Sequence, residues 1–190
     1  MDVYGILRDI CGTGLCYDVL VEHSRMVYGK ACRILEVSGR VLSESEGKLL
    51  YEGCMLHDIG VSGVNYPRLG CMGSVPYIRH GLVGGEILRG LGFEAHARIC
   101  ERHIGVGISR DDIIRGGLDL PLGDYLPESF IEKLVCYADL FYSKRPGALD
   151  CEESAESIRL ETSRFGSEQL RRLDALRAEV TGGHQVDYPV

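Results

Sequence analysis

Apolar residues recur along this chain at steps of three and four, the spacing that gathers them on one face of an α-helix. From residue 15 to about residue 37 the stripe consists of Val19, Leu20, Val27, Ala31 and Ile34. His23 lies on it, three after Leu20 and four before Val27. Ser43-Glu44-Ser45-Glu46 has the form of a capping box and predicts a helix start. That helix is expected to run through Leu49, Leu50 and Met55 to His57 and Asp58, and to stop at Gly60. Residues 61–75, rich in glycine and holding Asn65 and Pro67, read as a loop able to cover a site. Helix resumes near Pro76, a residue suited to a first turn, and carries His80, Val83, Ile87 and Leu88 towards Gly90.

A further helix is expected over 94–103, ending at Gly105, and Ser109 with Asp112 marks a short helix start. Residues 116–127 read as a second loop. Pro127-Glu128 then opens a helix with Phe130, Ile131, Leu134, Val135 and Ala138 on its apolar face and Asp139 beside them. A last helix pair, about 151–162 and 167–180, carries a seam of Leu170, Leu173, Leu176 and Val180. No sequence of alternating strands is apparent. The expectation is an all-α, single-domain helical bundle over residues 1–180, with 181–190 as a loose tail. The terminal pair either covers the bundle or forms a dimer seam, which leaves a homodimer open.

Composition narrows the class. The 190 residues, 45% hydrophobic and 26% charged, suit one soluble domain with a substantial core. No apolar run approaches the roughly 20 residues of a membrane span, and the first residues lack a basic stretch followed by an apolar one. The eight cysteines form no Cys-x-x-Cys pair, which argues against a disulfide framework or zinc ribbon. Reduced thiols in a cytoplasmic protein, with no membrane partner, are the expectation. A net charge of −7 argues against extended nucleic acid as a partner, but not against a nucleotide whose charge is met by bound metal.

The candidate chemistry lies in an ordered series: His23, His57-Asp58, His80, His103 and Asp139, with gaps of 34, 1, 22, 23 and 36 residues. It absorbs four of the six histidines. Imidazoles and carboxylates suit first-row transition metals, and facing helices of a bundle can bring such side chains together. Any one of these histidines alone would commonly be a satisfied core group. Asp139, following Val135-Cys136-Tyr137-Ala138, is a carboxylate among core residues and needs a partner. Cys54, one turn before His57, reads as a core thiol.

The order and spacing, together with His57-Asp58-Ile59-Gly60, resemble the HD-domain (HDIG) superfamily of metal-dependent phosphohydrolases over about residues 16–145. Arg79-His80-Gly81, Glu101-Arg102-His103 and the segment 132–139 are similar to its dinuclear branch, to small archaeal HDIG-domain proteins and to bacterial HD-domain hydrolases of diadenosine tetraphosphate. The resemblance implies one metal held by His23, His57, Asp58 and Asp139. It implies a second held by His80 and His103, with Asp58 as the bridge. His96 and His184 match no family position, so surface or structural roles are expected for them.

It further implies two divalent transition-metal ions (Fe, Mn, Co, Ni or Zn) about 3.5–4 Å apart, acting on a small phosphorylated substrate such as a nucleotide. Asp58 and Asp139 would be the catalytic carboxylates. Arg68, Arg79, Arg102, Lys144 and Arg145 are candidates for its phosphates. Members acting on cyclic dinucleotides commonly have Lys after the glycine, where this chain has Val61, and it lacks the Gly-Tyr-Pro motif of the cyclic di-GMP branch. Di-iron oxygenases of the same superfamily share the ligand list, so an oxygenase, or a noncatalytic metal-bound regulatory domain, stays open.

Overall fold

Nine α-helices carry the fold in a computed structural model that describes residues 1–145 and 147–184. In chain order they are α1 (Val3–Cys11), α2 (Leu15–Ser38), α3 (Glu44–Leu56), α4 (His80–Gly90), α5 (Glu94–Arg102), α6 (Arg110–Gly116), α7 (Phe130–Asp139), α8 (Ala155–Ser163) and α9 (Ser167–Thr181). The all-α expectation holds. Helix α1 is not among the expected elements, although Val3, Ile6, Leu7 and Ile10 recur at steps of three and four and Val3, Ile6 and Leu7 pack in one cluster.

Local chemistry sets the starts. The Ser43–Glu46 capping box forms, with the Ser43 side chain accepting from the Glu46 N–H and the Glu46 carboxylate accepting from the Ser43 N–H. Ser109 and Asp112 make a second box at α6. Helix α7 begins later than expected: Ser129, not Pro127-Glu128, accepts the Glu132 N–H and caps it.

The expected loop over 61–75 contains three short strands, β1 (Val64–Tyr66), β2 (Cys71–Met72) and β3 (Val75–Pro76). β1 pairs antiparallel with β2 and parallel with β3. Strands of two and three residues are too short to show a two-residue period, so the sequence reads as loop. Pro76 consequently ends a strand, and a short 3-10 turn (Tyr77–Arg79) leads into α4 at His80.

The principal core joins Val27, Ala31 and Ile34 of α2, Leu50 and Cys54 of α3, and Leu134, Val135 and Ala138 of α7. Leu173, Leu176 and Val180 of α9 lie in the same core, so the terminal seam turns inward and covers the bundle. Thr181 belongs to α9 and is buried, while residues 185–190 of the expected tail lie outside the described residues. All eight cysteines are free.

Gly60 has a different role from the one its position suggests. Its φ is not positive, so it is not needed for a sharp exit. A Cβ there would instead sit 2.0 Å from the His80 carbonyl oxygen and 2.3 Å from the Gly84 nitrogen. On the other face of α4, a Cβ at Gly81 would lie 2.5 Å from the Cys100 oxygen on α5. These glycines let α4 lie against both the His57-Asp58 turn and α5, which brings His80 and His103 up to Asp58.

Candidate metal centre

All six residues of the His/Asp series meet at one place. His23 projects from the middle of α2, and His57 caps the C-terminal end of α3, where its N–H still donates to the Gly53 carbonyl. Asp58 follows with φ −106° and ψ 7°, a break from helix after which its carboxylate still reaches within 3.2 Å of His57 Nε2. His80 opens α4, His103 caps α5 and Asp139 ends α7. All are buried apart from Asp139, whose side chain is 14% exposed.

Two donor groups form around the two oxygens of Asp58. Its Oδ2 lies 3.2 Å from His23 Nε2 and 3.2 Å from His57 Nε2, and Asp139 Oδ1 is 2.9 Å and 3.3 Å from those same nitrogens. Its Oδ1 lies 3.4 Å from both His80 Nε2 and His103 Nε2, which are 3.1 Å from each other. Ligand bonds of about 2.1 Å put neighbouring donors around one ion roughly 3.0–3.4 Å apart, and both groups match that spacing.

The histidine tautomers decide what the cluster can bind. Nδ1 of His57, His80 and His103 lies 2.7, 2.8 and 2.8 Å from the carbonyl oxygen of Cys54, Tyr77 and Cys100, each three residues earlier. A carbonyl only accepts, so Nδ1 must carry the proton. In the neutral imidazole Nε2 is then a bare lone pair. Two such lone pairs facing one another at 3.1 Å, as in His80 and His103, repel unless a cation lies between them. Neither fully buried Asp58 oxygen has a well-directed hydrogen bond; the Lys144 ammonium lies 2.7 Å from Oδ2, while Oδ1 faces the His80 and His103 nitrogens. A buried carboxylate so placed calls for a cation, and the donor set fits transition-metal ions. His23 Nδ1 is also buried without a partner.

The charges agree with that reading. Burial opposes ionisation of Asp58, but the Lys144 ammonium and the His57 charge hold it well below the usual carboxylate range. Asp139 is held low against burial by Lys144 and by hydrogen bonds from His23 and His57. Burial pushes His80 down to about 3, keeping it a neutral ligand.

The basic candidates separate. Lys144 enters the centre, with Nζ 2.7 Å from Asp58 Oδ2 and a side chain only 10% exposed. Arg79 is engaged by Asp119, at 2.5 Å to its carboxylate and 2.9 Å to its carbonyl. Arg102 bridges α5 to the segment before α7 through Glu128 at 2.6 Å and the Leu126 carbonyl at 2.8 Å. Arg68 and Arg145 are exposed and have no carboxylate partner among the described residues. His96 is buried against Glu52 at 3.1 Å, a structural role. Cys54 is a core thiol whose backbone carbonyl, not its sulfur, serves the centre. Tyr77, absent from the sequence-derived site, stacks on His80 with ring centroids 4.6 Å apart; its place three residues before a ligand histidine was the available signal.

No family model matches the chain. The uncharacterized protein MJ0778 of Methanocaldococcus jannaschii is 40% identical over 134 residues, covering 69% of this chain and 72% of that protein. This chain belongs to the MJ0778 family. Two tRNA (cytidine(56)-2′-O)-methyltransferases are also similar. The protein from Picrophilus torridus is 32% identical over 64% of this chain, and the one from Thermoplasma volcanium 28% over 88%. The matched stretch spans only 31% and 47% of those proteins, so this member of the MJ0778 family corresponds to less than half of either. Among solved structures, the HD domain of the Listeria monocytogenes phosphodiesterase PgpH superposes with a TM-score of 0.51 at 14% identity, over 95% of this chain and 96% of that one. The fold is that of an HD domain. No helix among the described residues is long and apolar enough to cross a membrane.

Proposed function

We propose that this protein is a metal-dependent phosphohydrolase with a dinuclear centre, acting on a nucleotide or a related phosphoester. One observation carries the reading: the two oxygens of a single buried carboxylate, Asp58, face two separate donor groups. The phosphodiesterase named in the structural comparison supports the same class of chemistry for this fold. Ions held there by His23, His57, Asp58, His80, His103 and Asp139 would supply Lewis-acid stabilisation of a phosphoryl oxygen and a water of lowered pKa.

The chain's own groups divide the remaining work. His57, His80 and His103 are each oriented by a backbone carbonyl; His80 presents a lone pair as it stands, whereas His57 must first give up its Nε2 proton. Asp139 lies at the exposed side of the centre, where its second oxygen can orient an attacking water. Lys144, once Asp58 is engaged by metal, is placed to meet a phosphoryl oxygen, and Arg145 follows it at the surface.

The test is metal stoichiometry in protein purified without chelator or affinity tag, followed by phosphate release from a panel of phosphomonoesters and diesters. About two transition-metal ions per chain and metal-dependent phosphate release are expected. Oxygen consumption with an iron requirement, and no phosphate release, would instead identify an oxygenase.

A further inference from the structure

Beside the metal centre lies a pocket of about 560 Å³ that none of the six ligands lines. That size falls within the roughly 300–1,000 Å³ of small-molecule sites. Three of its lining residues are next in the chain to residues of the centre: Ile104 follows His103, Leu140 follows Asp139, and Arg145 follows Lys144. Asp139 and Lys144 have the most exposed side chains of the centre, at 14% and 10%. The mouth of the centre and the pocket therefore share the chain segment 139–145. The opposite wall is one face of α8 and its flanks, with Ser157, Ile158, Glu161 and Thr162 inward.

The lining is mostly apolar, with half-buried Asp112 and buried Thr162 among it and with Glu153, Glu161 and Phe165 exposed. Ile158 is buried at the floor, whereas Phe165, at the rim, is 75% exposed. A large aromatic ring left in water at the edge of a pocket offers a stacking face. Glu153 and Glu161 also stand at the rim. Glu153 accepts from the Ser157 hydroxyl at 2.8 Å and Glu161 pairs with Arg164 at 2.7 Å, and each carboxylate keeps further lone pairs that can accept from a donor edge of an occupant. Arg145 is the one lining arginine, and in this acidic chain it has no carboxylate partner among the described residues.

We propose that this pocket is the base subsite of a nucleoside phosphate. The base stacks on Phe165 with its N–H edge towards Glu153 and Glu161, and the phosphate passes Arg145 and Lys144 to the metal centre. The phosphate end of this assignment rests on the phosphohydrolase reading; the base end does not. An acyl chain would fill the apolar interior but would offer neither a flat face to the exposed Phe165 ring nor a donor to the remaining lone pairs of Glu153 and Glu161.

The probes are adenosine and guanosine, which carry no phosphate, and adenosine 5′-monophosphate, titrated into the metal-loaded full chain by ligand-observed NMR and calorimetry. Two variants test the pocket: Phe165→Ala, at an exposed position, removes the stacking face, and Ser157→Trp, at a half-buried lining position outside the core, fills it. The expected result is nucleoside binding that weakens about tenfold in Phe165→Ala, the scale of one lost base–aromatic stack, and disappears in Ser157→Trp. Binding that neither variant alters, no nucleoside binding at millimolar concentration, or preferential binding of an alkyl phosphate would overturn the proposal. Nucleoside binding sensitive to both variants, in a protein that hydrolyses no phosphoester, would keep the subsite and reject the hydrolase.

Discussion

The Lys144 ammonium lies 2.7 Å from Oδ2 of Asp58, the carboxylate whose two oxygens face the two metal groups. It occupies the position of a competing cation, and both Asp58 and Asp139 are held ionised in large part by its charge. Replacing it by a neutral side chain of similar length separates competition from substrate binding. Lys144→Met is expected to bind Mn²⁺ several-fold more tightly by calorimetry, because no ammonium has to leave Asp58, while phosphate release falls at least tenfold. Unchanged metal affinity would show that the contact is incidental.

The sharing of Asp58 predicts unequal metal losses. Asp58→Ala removes a donor from both groups, and elemental analysis is expected to find the metal content falling from about two ions to almost none. His80→Ala touches only the Oδ1 group and should keep about one ion. Equal losses in the two variants would mean that the groups do not share Asp58.

The centre should also impose a pH dependence. Burial works against charge on His57, but the Asp58 carboxylate and the Asp139 hydrogen bond override it and lift the imidazole to about 10, against about 6.5 in an unfolded chain. A pKa raised on folding contributes stability that is complete below about pH 6.5 and is lost as pH rises through about 10. The metal-free protein should therefore lose Tm across that window. The same proton must leave when metal binds, so Mn²⁺ affinity should climb about tenfold per pH unit over the same range. Calorimetry in buffers of different ionisation enthalpy counts the released proton, and zero release at pH 7.5 contradicts this assignment.

Close backbone packing at Gly60 makes the smallest possible substitution costly. The Cβ of Gly60→Ala would meet the His80 carbonyl and the Gly84 nitrogen, both backbone atoms that cannot rotate away. Destabilisation of about 3 kcal/mol is expected in denaturant unfolding. Because the same displacement moves His80 from Asp58, the second ion should be lost first. Wild-type stability in this variant would mean that α4 can shift freely.

Much of the fold was legible because helix formation is local. The stripe through Val19, Leu20, Val27, Ala31 and Ile34 and the caps at Ser43 and Ser109 depend on hydrogen bonds and contacts spanning three or four residues. Where an element is too short to repeat its period the signal fails, as in the two- and three-residue strands at 64–76. The identity and order of the six clustered residues were likewise legible, because imidazoles and carboxylates on apolar faces are chemically conspicuous.

Their convergence is another matter. His23 and Asp139 lie 116 positions apart and end 2.9 Å from each other, a relation no local pattern encodes. Lys144 and Arg145 are neighbours in the chain, yet one turns into the centre and the other to the pocket rim. Arg79 and Arg102, chemically equal to them as phosphate candidates, are taken up by Asp119 and Glu128. The chain's short-range order set the helices, their caps and the inventory of ligands. The crossing of α2, α4, α5 and α7 set which atoms face one another, because that depends on close contacts such as Gly60 on α4 and Gly81 on α5, made between residues far apart in the chain.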